Sequence, residues 1–405
     1  MTVTAEPRQI YLDNNATTSC ALDVVAEMLP FFTEQYGNPS SIHAIGAGVA
    51  PSIHTARQRL QALLGAAHDT EIVFTSGGTE SDTTAILSAL RSLPERREII
   101  TSAVEHHAVL SVCEYLAKNE GYTVHVIPVD NQGRLDVKAY EKVLSDKVAL
   151  VSIMWANNET GTIFPVETLA QMAKAFGILV HTDAVQAVGK IPMRLSNSAI
   201  DMLSLSGHKI HGPKGIGALY LKRGVKFRPL FRGGHQERGR RAGTENTAGI
   251  VGLGKAAEIA QSGMIDENTR VRNLRDRLER ELVARIPNAI ITGDPEQRLP
   301  NTTTIAFEFV EGEAILMMLS RAGIAASSGS ACTSGSLEPS HVMRAMDIPF
   351  TAAHGATRFS LSRVNTDADI DRVIEVLPGI IDRLRAMSPY WSAAGAPAAF
   401  QPAYS

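Results

Sequence analysis

The chain carries only three cysteines, Cys20, Cys113 and Cys332, an odd number at wide spacing with no Cys-x-x-Cys pair. That argues against a disulfide framework and against a zinc ribbon. No apolar run approaches the roughly 18–20 residues that a bilayer-crossing helix needs. The first residues, Met1-Thr-Val-Thr-Ala-Glu-Pro-Arg8, lack the charged-then-apolar order of a secretory signal. The expectation is a cytoplasmic protein without membrane contact. An excess of one charge sign is also missing: 39 Lys and Arg stand against 42 Asp and Glu, a formal net charge of −3, with a pI near 6.5. Neither nucleic acid nor an anionic membrane surface therefore has an electrostatic claim on the chain. What remains is 405 residues of ordinary globular composition, 44% hydrophobic and 20% charged, enough for two domains or one large domain with an appendage.

Between about Ala21 and Ala260, short strands rich in β-branched residues alternate with amphipathic stretches. The strands are Ile72–Thr75, Glu98–Ser102, Thr123–Ile127, Val148–Met154, Ile178–Asp183, Asp201–Leu205 and Gly215–Leu221. The helical stretches include Ser81–Leu93, Ala108–Asn119 and Val166–Phe176. Such alternation predicts an α/β fold with a mainly parallel sheet covered by helices on both faces, and a ligand site at the carboxyl ends of the strands. A long charged helix from Asp266 to Arg285, with an i, i+4 pair available at Arg275/Glu279, opens a second unit containing strand Asn301–Phe307 and helix Glu311–Arg321. The expected division is an N-terminal segment (1–20) packing with the small domain, a large domain (21–262), a small α+β domain (263–390) and a disordered Ala/Pro-rich tail (391–405).

Lys209 ends one apolar strand, among small residues and two histidines, and Asp183 ends another. A lysine withdrawn from solvent loses its proton more readily and attacks carbonyls. An amine of this kind beside a carboxylate is what pyridoxal phosphate requires, the carboxylate serving the pyridinium nitrogen. Thr75-Ser-Gly-Gly-Thr-Glu80 joins a strand to a helix, and a glycine turn at a helix N-terminus suits a phosphate. Read alone it is an ordinary turn; beside Lys209 it becomes a phosphate site, with Thr79 adding a hydroxyl. Ser206 and His208 share the Lys209 loop and could donate to the same phosphate, whereas His211 reads as a satisfied loop histidine.

Glu105-His106-His107 follows a strand, and an imidazole there suits stacking on an aromatic ring or carrying a proton. Adjacent histidines seldom point the same way, so no metal is expected. Asn158 and Gln186 stand in strand-end loops where an amide either contacts a ligand or caps backbone. Ser327-Ser-Gly-Ser-Ala-Cys-Thr-Ser-Gly-Ser336 is too rich in serine and glycine to pack, and it presents Cys332 as a reactive thiol on an exposed loop. Arg358, in the apolar run Ala356–Ser362, needs an anionic partner, either a substrate carboxylate or a structural ion pair. Two decoys stand beside these. Gly249-Ile-Val-Gly-Leu-Gly-Lys255 has P-loop spacing, but Ala256 replaces the magnesium-binding hydroxyl and no strand precedes it. Arg232–Arg241 resembles an RGG patch but is one basic island in a mildly acidic chain, better read as an active-site loop or subunit contact.

These residues resemble the cysteine desulfurases, pyridoxal phosphate enzymes of the class V aminotransferase type, and among them the NifS type. The likeness runs through Tyr11-Leu-Asp-Asn-Asn-Ala-Thr-Thr18, Gly37-Asn-Pro-Ser40, Trp155-Ala-Asn-Asn-Glu-Thr-Gly161, His181-Thr-Asp-Ala-Val-Gln186, Ser206-Gly-His-Lys209, Arg241-Ala-Gly-Thr-Glu-Asn246, Ser328-Gly-Ser-Ala-Cys332 and Arg358-Phe-Ser-Leu-Ser362. The resemblance implies the fold type I architecture of pyridoxal phosphate transferases. It implies that Lys209 bonds pyridoxal 5'-phosphate, Asp183 pairs with its ring nitrogen, His106 stacks on the ring and Gln186 meets the phenolic oxygen. Thr79, Ser206 and His208, helped by Gly78, would hold the phosphate, joined by Thr244 from a second subunit of a homodimer, and Gly207 would be a further cofactor contact. Asn158 and Arg358 would hold the substrate L-cysteine, and Cys332 would take its sulfur as a persulfide, leaving alanine.

The sulfur would then pass to an iron–sulfur scaffold protein, in the NifS type for nitrogenase. No resident metal is implied, Cys332 touching a cluster only during transfer. The alternatives are a housekeeping desulfurase, a selenocysteine lyase, an aminotransferase, or, from another class, an iron–sulfur scaffold, which one loop cysteine cannot supply with enough thiolates. The sequence departs from the common family pattern at Thr83, where asparagine is usual, and at His107, where proline is frequent.

Overall fold

The computed structural model describes residues 9–328, 339–389 and 391. Cys332 and the tail beyond Trp391 lie outside the described residues.

Seven strands form the central sheet: β2 (Ile72–Thr75), β3 (Glu98–Ser102), β4 (Thr123–Ile127), β5 (Val148–Ser152), β6 (Leu179–Asp183), β7 (Met202–Ser206) and β8 (Gly217–Leu221), preceded in the chain by the short β1 (Ile10–Tyr11). Their order is β2-β8-β7-β6-β5-β3-β4, and β8 alone runs antiparallel to its neighbours. The carboxyl ends of β2, β3, β5, β6 and β7 therefore share one edge. β5, β7 and β8 are buried along their whole length, as strands covered on both faces must be. One face packs Leu60 and Leu64 against Leu253 and Ala257; the other packs Ile86 and Ala89 against Val109 and Cys113. Burial pushes the Cys113 thiol up to about 12, which suits an inert core cysteine.

The glycines that imitate a P-loop have a packing task. The helix Thr247–Ser262 crosses the helix Ala50–Leu64 so closely that a Cβ on Gly254 would lie 2.5 Å from Ala56 Cα. A similar approach fixes the start of β8. A Cβ on Gly217 would meet the Leu205 carbonyl oxygen at 2.5 Å and Gly77 Cα at 2.7 Å. Both obstacles are backbone, so Gly217→Ala should lower stability by about 1–3 kcal/mol, read as a fall in Tm by calorimetry.

The C-terminal part builds a second core on the antiparallel sheet of β9 (Ala289–Thr292), β10 (Thr302–Phe307) and β12 (Ala356–Ser360), in the order β12-β10-β9. Phe307 and Phe359 meet Leu278 and Leu282 of the helix Arg272–Arg285, and Val373 and Leu377 of the helix Asp367–Met387. The expected Arg275/Glu279 pair is not made. Both side chains are buried: Glu279 accepts from Arg298 at 2.5 and 2.7 Å and from Thr303 at 2.6 Å, while Arg275 donates to the carbonyls of Leu299 and Thr302. Arg298 and Thr303, delivered from across the fold, take Glu279, and Arg275 pairs instead with the adjacent Asp276 at 2.7 Å. Helical structure here starts at Met264 and includes a π-helical turn at Glu267–Val271. Trp391, assigned by sequence to the tail, stands 4.1 Å from the Arg385 guanidinium and contacts Phe309.

The N-terminal segment acts as a strap. β1 pairs in parallel with β11 (Ile324–Ala325), and Ile10 and Leu12 enter the C-terminal core. Further along, the Thr18 N–H donates to the His208 carbonyl and the Ala21 N–H to that of His211. His211 also faces the Ser19 carbonyl through Nδ1 at 3.0 Å. No helix among the described residues is long and apolar enough to cross a membrane.

Candidate active site

A cavity of about 530 Å3 opens at the carboxyl edge of the sheet, between the strand-end loops, the strap and β12. Lys209 reaches it from a single 3-10 turn, Gly207–Lys209, directly after β7. Its Nζ donates to the carbonyls of Asn15 at 2.5 Å and Ala16 at 2.8 Å. Burial drives the amine down to about 7, helped by Arg358 and Lys190 and opposed by Asp183 and Asp13. A lysine in this state supplies free amine near neutrality.

Asp183 ends β6, and its Oδ1 accepts the Val185 N–H at 2.9 Å. Burial raises its pKa, with Lys209 as the opposing charge. Behind it lies a layer of buried polar groups. His181, on the same face of β6, bonds Ser152 Oγ through Nδ1 and Ser204 Oγ through Nε2, each at 2.9 Å. Burial holds it down to about 3, so it is neutral. Asp82 is 1% exposed, with Oδ1 lacking a hydrogen-bond partner. Burial raises its pKa strongly and the Asp183 charge adds to that. Glu105 accepts from Ser102 Oγ at 2.5 Å and the Met154 N–H at 2.9 Å, and burial pushes it up to about 8. Of these three acids Asp183 has the lysine to offset its charge, so the negative charge is best held there.

One end of the cavity is the N-terminus of the helix Gly78–Ser92, which has no side-chain cap. The residue pattern predicts a helix from Ser81; in the fold Gly77 serves as N-cap, and Gly78 and Thr79 form its first turn. The N–H groups of an uncapped first turn need acceptors. Ser206 and His208 line the same end. Burial takes His208 down to about 4, and its Nδ1 lies 3.1 Å from Thr17 Oγ1. The basic 232–241 loop is fastened here too: Arg241 forks onto Glu80 at 2.9 and 3.2 Å.

His106 is the N-cap of the helix His107–Glu120, its Nδ1 accepting the Ala108 N–H at 3.1 Å. That bond leaves the ring proton on Nε2. Burial, then the Lys209 charge, lowers His106 to about 4, so it is a neutral donor at physiological pH. Opposite, Arg358 is 2% exposed. It donates to Asp13 at 2.8 Å and to the Asn158 carbonyl at 2.9 Å, with Nε lacking a partner.

Ten of the residues singled out from sequence line this one cavity: Gly78, Thr79, His106, Asn158, Asp183, Gln186, Ser206, His208, Lys209 and Arg358. Gly207 does not; its N–H is committed to the Ile216 carbonyl at 2.9 Å. Thr244 is exposed and away from the cavity of its own chain, and Cys332 lies outside the described residues. Gln186 lines the wall, but its Nε2 donates to the Asn15 carbonyl at 2.9 Å. Sequence reasoning missed Asn15 and Ala16, which act through backbone oxygens. It also missed Asp82, legible only as the position one helical turn after Thr79. His341 was missed as well: its Nε2 faces the Glu105 carbonyl at 3.0 Å and its ring stands 5.0 Å from that of His107. Among the described residues no group of three or more His, Cys, Asp or Glu is placed to hold a metal.

The chain matches the aminotransferase class-V family over residues 10–373. It is 68% identical over 397 residues to a cysteine desulfurase of Gluconacetobacter diazotrophicus, covering 98% of this chain and 99% of the relative. It is 65% identical over 386 residues to the cysteine desulfurase NifS of Azotobacter vinelandii, covering 95% and 96%. A solved NifS-like protein superimposes with a TM-score of 0.87 at 38% identity, over 93% of this chain and all of its own. Sequence, sheet order and cavity agree: this chain belongs to the class-V aminotransferase family, among its cysteine desulfurases.

Proposed function

We propose that the cavity holds pyridoxal 5'-phosphate and that the enzyme moves sulfur from L-cysteine to Cys332, releasing L-alanine. The observation that carries this reading is the convergence, in one cavity, of a lysine amine lowered to about 7, a buried carboxylate and an uncapped helix N-terminus. The residues fit the group: Lys209 for its aldehyde, Asp183 for its ring nitrogen, and the Gly78–Thr79 turn with Ser206 and His208 for its phosphate. When bound, the cofactor would act as the sink for negative charge developing at the substrate α-carbon.

Every other part belongs to the chain. Lys209, once free, takes the α-proton as a neutral amine. Arg358 receives the substrate carboxylate, its unpartnered Nε and its fork shape suiting that group, with Asn158 alongside. His106 offers a proton from Nε2. Cys332 Sγ attacks the substrate sulfur; an S–S bond forms, the Cβ–S bond breaks, and its electron pair stays on the three-carbon fragment, which is protonated to alanine.

Covalent geometry supports the reach of that thiol. Ser327 is bonded to Arg358 through both backbone groups, at 3.2 and 2.6 Å, and Cys332 is only four residues beyond Ser328, at most about 14 Å of extended chain. Thr244 reads as a phosphate ligand for a second copy, in a homodimer. Likeness to a NifS protein supports delivery to an iron–sulfur scaffold serving nitrogenase.

Incubation with L-cysteine tests the reaction: alanine and transferable sulfur should appear in equal amounts, and pyruvate with ammonia in place of alanine would contradict it. Arg358→Gln should lower kcat/KM by about 10–100-fold, the worth of a charge-assisted hydrogen bond. Steady-state kinetics on L-cysteine would show it mainly in KM.

A further inference from the structure

Lys209 also borders a second, small cavity of about 40 Å3, whose lining includes Lys190, His211, Glu267 and Arg363. Lys190 is 6% exposed. Among the described residues its hydrogen-bond acceptors are both on Gln186: the backbone oxygen at 3.0 Å and Oε1 at 3.2 Å. Burial lowers Lys190 to about 8, with the Glu267 charge opposing, so it stays protonated where Lys209 at about 7 does not; a buried ammonium whose hydrogen bonds go to neutral oxygens is costly, and its retention calls for a reason. The connections of Gln186 supply one. Its Nε2 donates to the Asn15 carbonyl at 2.9 Å, the same oxygen that receives Lys209 Nζ at 2.5 Å. The two lysines thus stand at opposite ends of one short chain of hydrogen bonds.

We propose that Lys190 is a positioning residue for Lys209: it fixes the amide orientation of Gln186 and, across the small cavity that both lysines line, supplies the positive potential that keeps the Lys209 amine free of its proton. The inference rests on the reading of Lys209 as the reacting amine. Around Lys209, Arg358 and Lys190 act in one direction and Asp183 and Asp13 in the other. Arg358 is an unsteady source of potential, because Asp13 already lies 2.8 Å from it and a substrate carboxylate would neutralise it further. Lys190 has no such competitor on the substrate side. Its counter-charge is Glu267, on the π-helical turn, and Arg358 also faces it. Glu267 is in turn flanked by Asp266, Arg270 and Arg363, and His211 is held neutral by burial. The Lys190 backbone is pinned as well, Asn268 donating to its carbonyl at 2.8 Å.

The test uses the full chain freed of cofactor. Lysines are acylated in brief pulses over a range of pH, and the Lys209 peptide is quantified by mass spectrometry. The parent should show half-maximal labelling of Lys209 near pH 7. Lys190→Met and Lys190→Gln, both uncharged, should move that midpoint upward by about one unit. Lys190→Arg, which keeps the charge, should hold it at the parent value. If the methionine variant does not fold, the glutamine and arginine variants carry the comparison. Equal midpoints in the glutamine and arginine variants would overturn the proposal. A Lys209 that shifts as expected but never bonds the cofactor would sink the functional reading and leave the role of Lys190 standing.

Discussion

Lys209→Ala is expected to reduce turnover of L-cysteine by about 10³-fold or more, and to leave no covalent link between protein and cofactor. The same substitution should stabilise the cofactor-free fold, and the pH dependence gives the sign. The folded amine is lowered to about 7 from an ordinary 10.5, chiefly by burial. Between those values the unfolded chain binds more protons than the folded one, so the destabilisation due to Lys209 is full below about pH 7 and fades as pH rises toward 10.5. The Tm advantage of Lys209→Ala over the parent should therefore be largest near neutrality and shrink in alkali. The lost donations to the Asn15 and Ala16 carbonyls reduce the advantage by a constant amount and do not change its slope. A Tm difference that grows with pH would contradict the assignment of a desolvated amine.

Cys332→Ala should produce the opposite separation of properties. On the proposed reading, cofactor capture and L-cysteine binding use groups already assembled around the cavity, so both should match the parent. Sulfur transfer should vanish, because no other cysteine stands in its place. Cys113 is buried in the core and burial raises its thiol to about 12. Cys20 lies outside the cavity lining, and burial raises its thiol as well. On the C-terminal side of the Cys332 segment, Ser340 Oγ donates to Glu159 Oε2 at 2.6 Å, a carboxyl whose pKa burial raises. Both flanks of the cysteine segment are thus tied to residues of the cavity wall. Retained persulfide formation in Cys332→Ala, followed by mass spectrometry, would place the sulfur acceptor elsewhere.

Much of the site was legible because strand ends announce themselves. An apolar run that stops at a lysine or aspartate places that group at the sheet edge, and parallel order gathers such edges together. Hence Lys209, Asp183, Ser206 and the Gly78–Thr79 turn were found one by one and meet in one cavity. The strap was harder. Its motif Asp13-Asn-Asn-Ala16 marked a likeness, but the groups that receive Lys209 are backbone oxygens, which leave no trace in side-chain pattern. Lys190 and Glu267 are far apart in sequence and follow no local period, so their shared cavity appears only in three dimensions. Arg275 and Glu279 show the converse error. Helical spacing made a pair available, but it said nothing of Arg298, which the fold delivers to the same carboxylate. The glycines of Gly249–Gly254 carried a nucleotide-like spacing for steric reasons: Gly254 allows the close approach of the helix Ala50–Leu64 at Ala56, Gly252 faces Met28 and Pro213, and Gly249 faces the N-cap side chain of Asn246.

Reductive trapping tests the central claim most directly. The protein is loaded with pyridoxal 5'-phosphate, reduced with borohydride, digested and analysed by mass spectrometry. The account predicts a stable phosphopyridoxyl group on the peptide containing Lys209, and none in Lys209→Ala. The same group found on another lysine, or its absence from a fully loaded protein, would contradict it.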